Sequence, residues 1–339
     1  MVTVPVFVGL DYSTDRVQVC VMDTSGDVLG NKGCPNSAAQ ICAFAEKFGT
    51  VQGAAIEACT GAANLADELV LKAGWSVDLG QPGYIERLKR SPDKSDWQDA
   101  RLLADLERVG YLPKVWLAPE PVRELRQLVR YRQDLVNQKR KTKLQIRAVL
   151  RQARCADPQQ WRPWTQDWLA WLAHMAPLPA QSRWVVEQRL VELASLEARI
   201  KLADKRLAEV TAEDVEVSRL LEQPGIGPVT AWTLRAEIGR FDRFRSGKQL
   251  SRFCGLSPCN ASSGHRQADA GLIQAANRQL RAVLIEAAHR LVRYDRKYQA
   301  LAVRLRRQGK KGSVVAAAVA NRWVRWLYHQ MASCEKVAA

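Results

Sequence analysis

The sequence predicts a mixed α/β domain over roughly the first third of the chain, followed by an all-α remainder. Three observations predict it. Short β-branched runs alternate with helical periods up to about residue 110, long charged helical periods follow Pro119, and a helical part with a loop-rich middle occupies about 215–335.

Residues 4–10 (VPVFVGL) form an apolar, β-branched run that ends at Asp11. Residues 16–22 (RVQVCVM) alternate with period two, and 23–26 (DTSG) is a turn into a third short strand near Val28, so an antiparallel meander opens the chain. A helix is expected over 37–48, a strand at 51–56 ending at Glu57, a helix over 62–73 and a strand at 75–80. Residues 95–107 carry the 3.6-residue period of a further helix.

Beyond Pro119, residues 121–154 carry eleven Lys/Arg, among them Arg126, Arg130, Lys139, Arg140, Lys141, Lys143 and Arg147, against Glu124 and Asp134 alone. Their apolar positions (Leu125, Leu128, Leu135, Leu144, Leu150) form one seam, so the stretch reads as a basic, nucleic-acid-facing helix. Trp161, Trp164, Trp168 and Trp171 recur at helical spacing and read as one packing ridge rather than a base-stacking platform. Val186, Leu193, Ile200 and Leu207 repeat every seven residues, a coiled-coil seam open to a partner within the chain or in a second copy. The stretch LLEQPGIGPVTAWTLRAEIG has the form of a helix-hairpin-helix, with Gly225 and Gly227 placed to let backbone N–H groups approach a phosphate. Three regions follow from this reading: 1–112, a basic helical and coiled-coil segment at 113–212, and 213–339.

The charge balance narrows the partner. In 339 residues, 51 Lys+Arg stand against 35 Asp+Glu, a net charge of +16, and an excess of that size attracts polyanions. The eight cysteines form no CxxC pair and show no zinc spacing, which points to reduced cytoplasmic thiols. The N-terminus runs directly into a strand pattern without a charged leader, and no apolar run approaches membrane-spanning length, so a cytoplasmic protein is expected.

Four acids stand out by position. Asp11 and Glu57 each close a strand, where a side chain emerges at the sheet's end, and Asp96 and Asp99 share one face of a helix. Carboxylates gathered in a chain of net positive charge invite a divalent cation, and Mg²⁺ held in this way supports phosphoryl transfer.

VGLDYS around Asp11, AIEACTG around Glu57 and KSDWQDARLLA around Asp96 and Asp99 resemble the N-terminal motifs of the DEDD insertion-sequence transposases, a family that includes the Piv-type invertases. PGIGPVTAWTLRAEIGRFDRFRSGKQLSRFCGLSPCNASSG and GKKGSVVAAAVANRWVRWLYHQM resemble the same family's second domain, so the likeness runs from about residue 6 to 330. After Glu57 the family's usual ATG-plus-aromatic is replaced by Ala58-Cys59-Thr60-Gly61-Ala62-Ala63.

The resemblance implies a ribonuclease-H-like N-terminal domain similar to Holliday-junction resolvases, holding Mg²⁺ through Asp11, Glu57, Asp96 and Asp99. It further implies a C-terminal transposase domain with a catalytic serine, assigned to Ser263 with Ser262 as the neighbouring alternative. His265 and Arg266 follow as nucleic-acid contacts. Implied partners are donor and target double-stranded DNA, a structured guide RNA from the element's own ends, and further copies of the chain as a dimer of dimers. The implied reaction is excision and insertion of an insertion sequence through a covalent phosphoserine. Two other readings use the same features: a resolvase-like, metal-dependent nuclease that activates water, and a non-catalytic nucleic-acid scaffold.

Overall fold

The computed structural model describes residues 4–89, 95–260, 269–274 and 276–335. The chain divides into two compact units, Met1–Ala118 and Pro119–Ala339.

The first unit is built on a six-stranded sheet. Its elements in chain order are β1 (Pro5–Tyr12), β2 (Arg16–Asp23), β3 (Val28–Pro35), α1 (Ala38–Ala45), β4 (Thr50–Glu57), α2 (Ala62–Ala73), β5 (Val77–Gly80), α3 (Pro82–Leu88), α4 (Asp96–Arg108) and β6 (Lys114–Val115). The strand order is β3-β2-β1-β4-β5-β6. The β1–β2, β2–β3 and β5–β6 pairs are antiparallel, whereas β1–β4 and β4–β5 are parallel. This mixed sheet is consistent with a ribonuclease-H-like domain. The turn expected at 23–26 is closed by the Asp23 carboxylate, which accepts from the backbone N–H groups of Ser25, Gly26 and Asp27 at 2.9 Å each.

Alternation along the strands decides which residues face which helices. Val6, Val8 and Leu10 of β1 and Ala54 and Ile56 of β4 enter one core with Ile41 of α1 and Leu65 and Leu69 of α2. The intervening residues face α4: Ala55 packs with Leu103 and Leu106, while Cys20 and Met22 pack with Ala100 and Ala104. The sheet is therefore covered on both faces, and Gly9, Asp11 and Glu57 fall on the α4 side by parity. Sequence periodicity does not show α3 or the two-residue β6.

The second unit comprises α5 (Glu120–Gln152), α6 (Gln166–His174), α7 (Ala180–Val210), α8 (Val215–Leu221), α9 (Pro228–Ile238), α10 (Gly247–Phe253), β7 (Pro258–Asn260), β8 (Asp269–Leu272), α11 (Arg278–Tyr294), α12 (Arg296–Arg307) and α13 (Gly312–Glu335). The seven-residue seam of α7 faces α5 of the same chain. Leu207 shares a core with Leu125 and Val129, Leu196 and Ala203 pack on Leu135, and Val186 packs with Ile146 and Leu150. The pairing runs in opposite directions along the two helices, which makes them an antiparallel pair. Leu125, Val129 and Leu207 also belong to the core formed by α8 to α13, so the segment expected at 113–212 shares its packing with the rest of the second unit.

The tryptophan ridge requires a correction. Trp161, Trp164, Trp168 and Trp171 do share one apolar cluster. They do not lie on one helix, however, because α6 begins at Gln166 and Trp164 adopts a left-handed φ of 73°. Trp164 reaches Trp168 by doubling back, with ring centroids 4.8 Å apart.

Candidate active site

The sheet and α4 bring the four acids of the first unit to one cavity. Asp11 lies at the C-terminal end of β1 beside Gln18 of β2, and Glu57 closes the neighbouring parallel strand β4. Asp96 and Asp99 form the first turn of α4. Asp11, Glu57, Asp96 and Asp99 all line a cavity of about 1590 Å³, together with Tyr12 and Lys89.

Gly9 explains how α4 comes so near. A Cβ at Gly9 would stand 1.9 Å from the Ala100 carbonyl oxygen and 2.4 Å from the Ala104 nitrogen. The backbone of α4 is thus pressed onto β1, with the small side chains of Ala100 and Ala104 at the contact. Asp11 is two residues from Gly9 on the same face of the strand, and Asp96 and Asp99 are the next turn along the same helix. The glycine therefore sets the spacing at which the acids meet. Gly61 plays a related part in the loop after Glu57. With φ +94°, its missing Cβ leaves room for the Tyr12 hydroxyl, which would otherwise be 2.2 Å away.

Mutual repulsion is visible in Asp11. Burial raises its pKa, and Asp96, Asp99 and Glu57 raise it further while Lys89 opposes them, so that it reaches about 6. Lys89 is a side chain at this cavity that sequence reasoning does not single out. Its Nζ donates to Asp99 Oδ2 at 3.0 Å and stands 3.5 Å from Glu86. Burial works against the Lys89 cation, but the hydrogen bond and charge of Asp99, with Glu57 and Glu86 beyond, hold its pKa above the ordinary lysine value. A lone lysine in a charged segment gives no local signal of this role.

Among the described residues, no three His, Cys, Asp or Glu side chains are drawn together tightly enough to hold a metal ion as they stand. The donor chemistry nevertheless suits a hard divalent cation: the acids offer oxygens alone, and their repulsion at Asp11 is what such an ion relieves. The serine side of the expected site, Ser263 with Ser262, His265 and Arg266, lies outside the described residues.

The basic helix α5 is less open than its charge implies. Arg130 donates to both carboxylate oxygens of Glu237, at 2.8 and 3.0 Å, and Arg126 donates to the Ala236 carbonyl. Glu237 is 4% exposed and also accepts from Asn277, the N-cap of α11. Lys139 pairs with Glu197, Arg147 with Asp157, and Lys143 lies over the Trp164 ring. Arg140 and Lys141 remain exposed. Gly225 has φ +83° and backs onto Leu291, and Gly227 forms the N-cap of α9.

Comparison with known proteins finds two family models along the chain. A DEDD-type family model described as a transposase matches residues 8–154, and a second, described as the transposase IS116/IS110/IS902 family, matches residues 217–303. A probable family 20 transposase of Pseudomonas aeruginosa is 28% identical over 81% of this chain and 82% of its own. The transposase for insertion sequence element IS1111A of Coxiella burnetii is 25% identical, over 94% of this chain and 88% of its own. The transposase for insertion sequence element IS1328 of Yersinia enterocolitica is 26% identical over 67% of each.

Proposed function

Because the chain belongs to the IS116/IS110/IS902 family of transposases, we propose that it excises and inserts an insertion sequence through a covalent phosphoserine on Ser263. The observation that carries the proposal is the convergence of Asp11, Glu57, Asp96 and Asp99 on one cavity, with Asp11 held up to about 6 by burial and by its acidic neighbours. An arrangement that opposes its own charge is expensive for folding alone, and its use lies in chemistry.

The four carboxylates would hold Mg²⁺, which when bound activates an attacking oxygen and stabilises a leaving one. The residues of the chain do the rest. Lys89 anchors Asp99 by direct hydrogen bond, and Gly9 keeps α4 at the distance that sets Asp96 and Asp99 against Asp11. Ser263 Oγ, losing its proton, forms a bond to a backbone phosphorus as one P–O bond of that strand breaks, and the departing oxygen takes up a proton as a free hydroxyl. Attack by a hydroxyl of the other duplex reverses the step, so the number of phosphodiester bonds is conserved and no nucleotide need be hydrolysed. The serine and the acids would come from different copies in a dimer of dimers, guided by a structured RNA that pairs with donor and target DNA. Support for a multimer and a guide is the family resemblance alone.

A suicide duplex that cannot be religated tests the reaction. The expected result is a denaturant-resistant protein–DNA adduct with the natural protein and with Ser262→Ala, and neither adduct nor strand exchange with Ser263→Ala. Cleavage that persists in Ser263→Ala would instead assign the acids to activating water, as in a resolvase-like nuclease.

A further inference from the structure

We propose that the corner formed by α12 and the start of α13 is a docking face for the phosphate backbone of duplex DNA. The proposal rests on the reading of the protein as one that acts on DNA. Residues 296–311 hold seven Lys/Arg and no acid. All seven are exposed, and among the described residues none of them forms an ion pair. The contrast with α5 is direct, because Arg126, Arg130, Arg132, Lys139 and Arg147 all have acidic partners within the second unit. On α5 only some cations, Arg140, Lys141 and Arg151 among them, are exposed without an ion pair among the described residues, whereas on residues 296–311 all seven are, so the charge free to meet an outside polyanion is densest at this corner.

Folding does not account for this corner. Asp295, the acid next in sequence, already accepts from the backbone N–H groups of Lys297 and Tyr298 as the N-cap of α12. Arg304, Arg306 and Arg307 lie in the last turn, where the helix dipole favours a cation. One or two cations satisfy that dipole. A third, with Lys310 and Lys311 just beyond the helix end, adds repulsion that no acid among the described residues relieves by an ion pair.

The shape of the face selects the occupant. Arg296, Arg304 and Arg307 rim a shallow cleft of about 590 Å³ floored by Gln299, Ala300 and Val303. The outer arginines, Arg296 and Arg307, stand eleven residue steps apart, about 16 Å of helix, a length that crosses many charges on a duplex carrying one per ~1.7 Å of axis. The cleft offers no aromatic ring on which an unpaired base would stack, so an intact duplex fits better than a single strand.

The test uses the full chain and a 30-base-pair duplex of arbitrary sequence, with binding followed by fluorescence anisotropy over a range of KCl concentrations. One variant carries Arg304→Gln, Arg306→Gln, Arg307→Gln, Lys310→Gln and Lys311→Gln. A second removes as many charges from exposed positions elsewhere, by Lys32→Gln, Lys47→Gln, Lys201→Gln, Lys205→Gln and Arg206→Gln. If three to four phosphate contacts are lost, the slope of log K against log salt flattens by about 3 in the first variant, with affinity near 0.1 M salt falling about 10²–10³-fold. The second variant is expected to lose less than about one unit of slope. An unchanged slope in the first variant, or an equal loss in both, overturns the proposal. Loss confined to a structured RNA hairpin probe overturns the choice of duplex DNA. If the five-fold variant does not fold, Lys310→Gln/Lys311→Gln, which lie outside α12, should flatten the slope by about 1 to 2, and no change there overturns the proposal. A natural protein that shows no salt-dependent duplex binding would contradict the broader reading, which is a different outcome.

Discussion

Asp157 shows how an ionised side chain stabilises one corner of the second unit. It accepts from Arg147 Nη1 at 2.5–2.6 Å and from Trp168 Nε1 at 3.1 Å. The Arg147 hydrogen bonds hold its carboxyl below the ordinary value, against the opposing effect of burial and with help from Trp168. A depressed carboxylate contributes stability that is present above the unfolded pKa and is lost as pH falls through the folded one. Asp157→Asn is therefore expected to cost about 1–2 kcal/mol at pH 7 in urea unfolding, with the gap to the natural protein closing as pH falls below 4. A gap that stays constant from pH 7 to pH 3 would show that the charge is not what stabilises the contact. The acids of the first unit behave differently. At Asp11 burial and like charges push upward, so ionisation there opposes folding rather than supporting it.

At the scale of elements, the approach of α4 to β1 positions the site. Gly9→Ala places a methyl against the Ala100 carbonyl and the Ala104 nitrogen, which are backbone atoms with no freedom to rotate away. The helix must retreat, at a cost of about 1–3 kcal/mol from overpacking. The expected outcome is a lower melting temperature with strand cleavage reduced at least ten-fold at temperatures where the variant is fully folded. Full activity in the folded variant would show that the helix–strand distance does not set the site. Much of this element was legible beforehand: the run ending at Asp11, the strand ending at Glu57 and the helix bearing Asp96 and Asp99 all follow from period and turn chemistry. The role of Gly9 was not, because it depends on a helix 90 residues away. Lys89 escaped for the same reason, since its meaning lies in its distance from Asp99 and not in its neighbours along the chain.

At the scale of the whole molecule, the two units carry different burdens. The first gathers acids on one cavity, while the second carries the long antiparallel helices and the exposed cations of α12. Net charge was readable from composition, but the way it is spent was not. Glu237 stands 107 residues from Arg130 in sequence and neutralises part of α5, and no pattern along α5 announces that pairing. The apolar seam of α7 was readable as a seam, whereas its partner emerged only with the fold. Ser263 rests on the motif resemblance, as it lies outside the described residues.

The proposed function depends above all on the acids of the first unit acting together in breaking a DNA strand. It is tested most directly by strand cleavage of a plasmid carrying the element's ends, with the full chain and its Asp11→Asn and Asp99→Asn variants compared at equal DNA occupancy. Each variant is expected to bind DNA as the natural protein does and to cleave at least about 10²-fold more slowly, as befits loss of a group that stabilises charge in the transition state. Cleavage at the natural rate by Asp11→Asn would contradict the account.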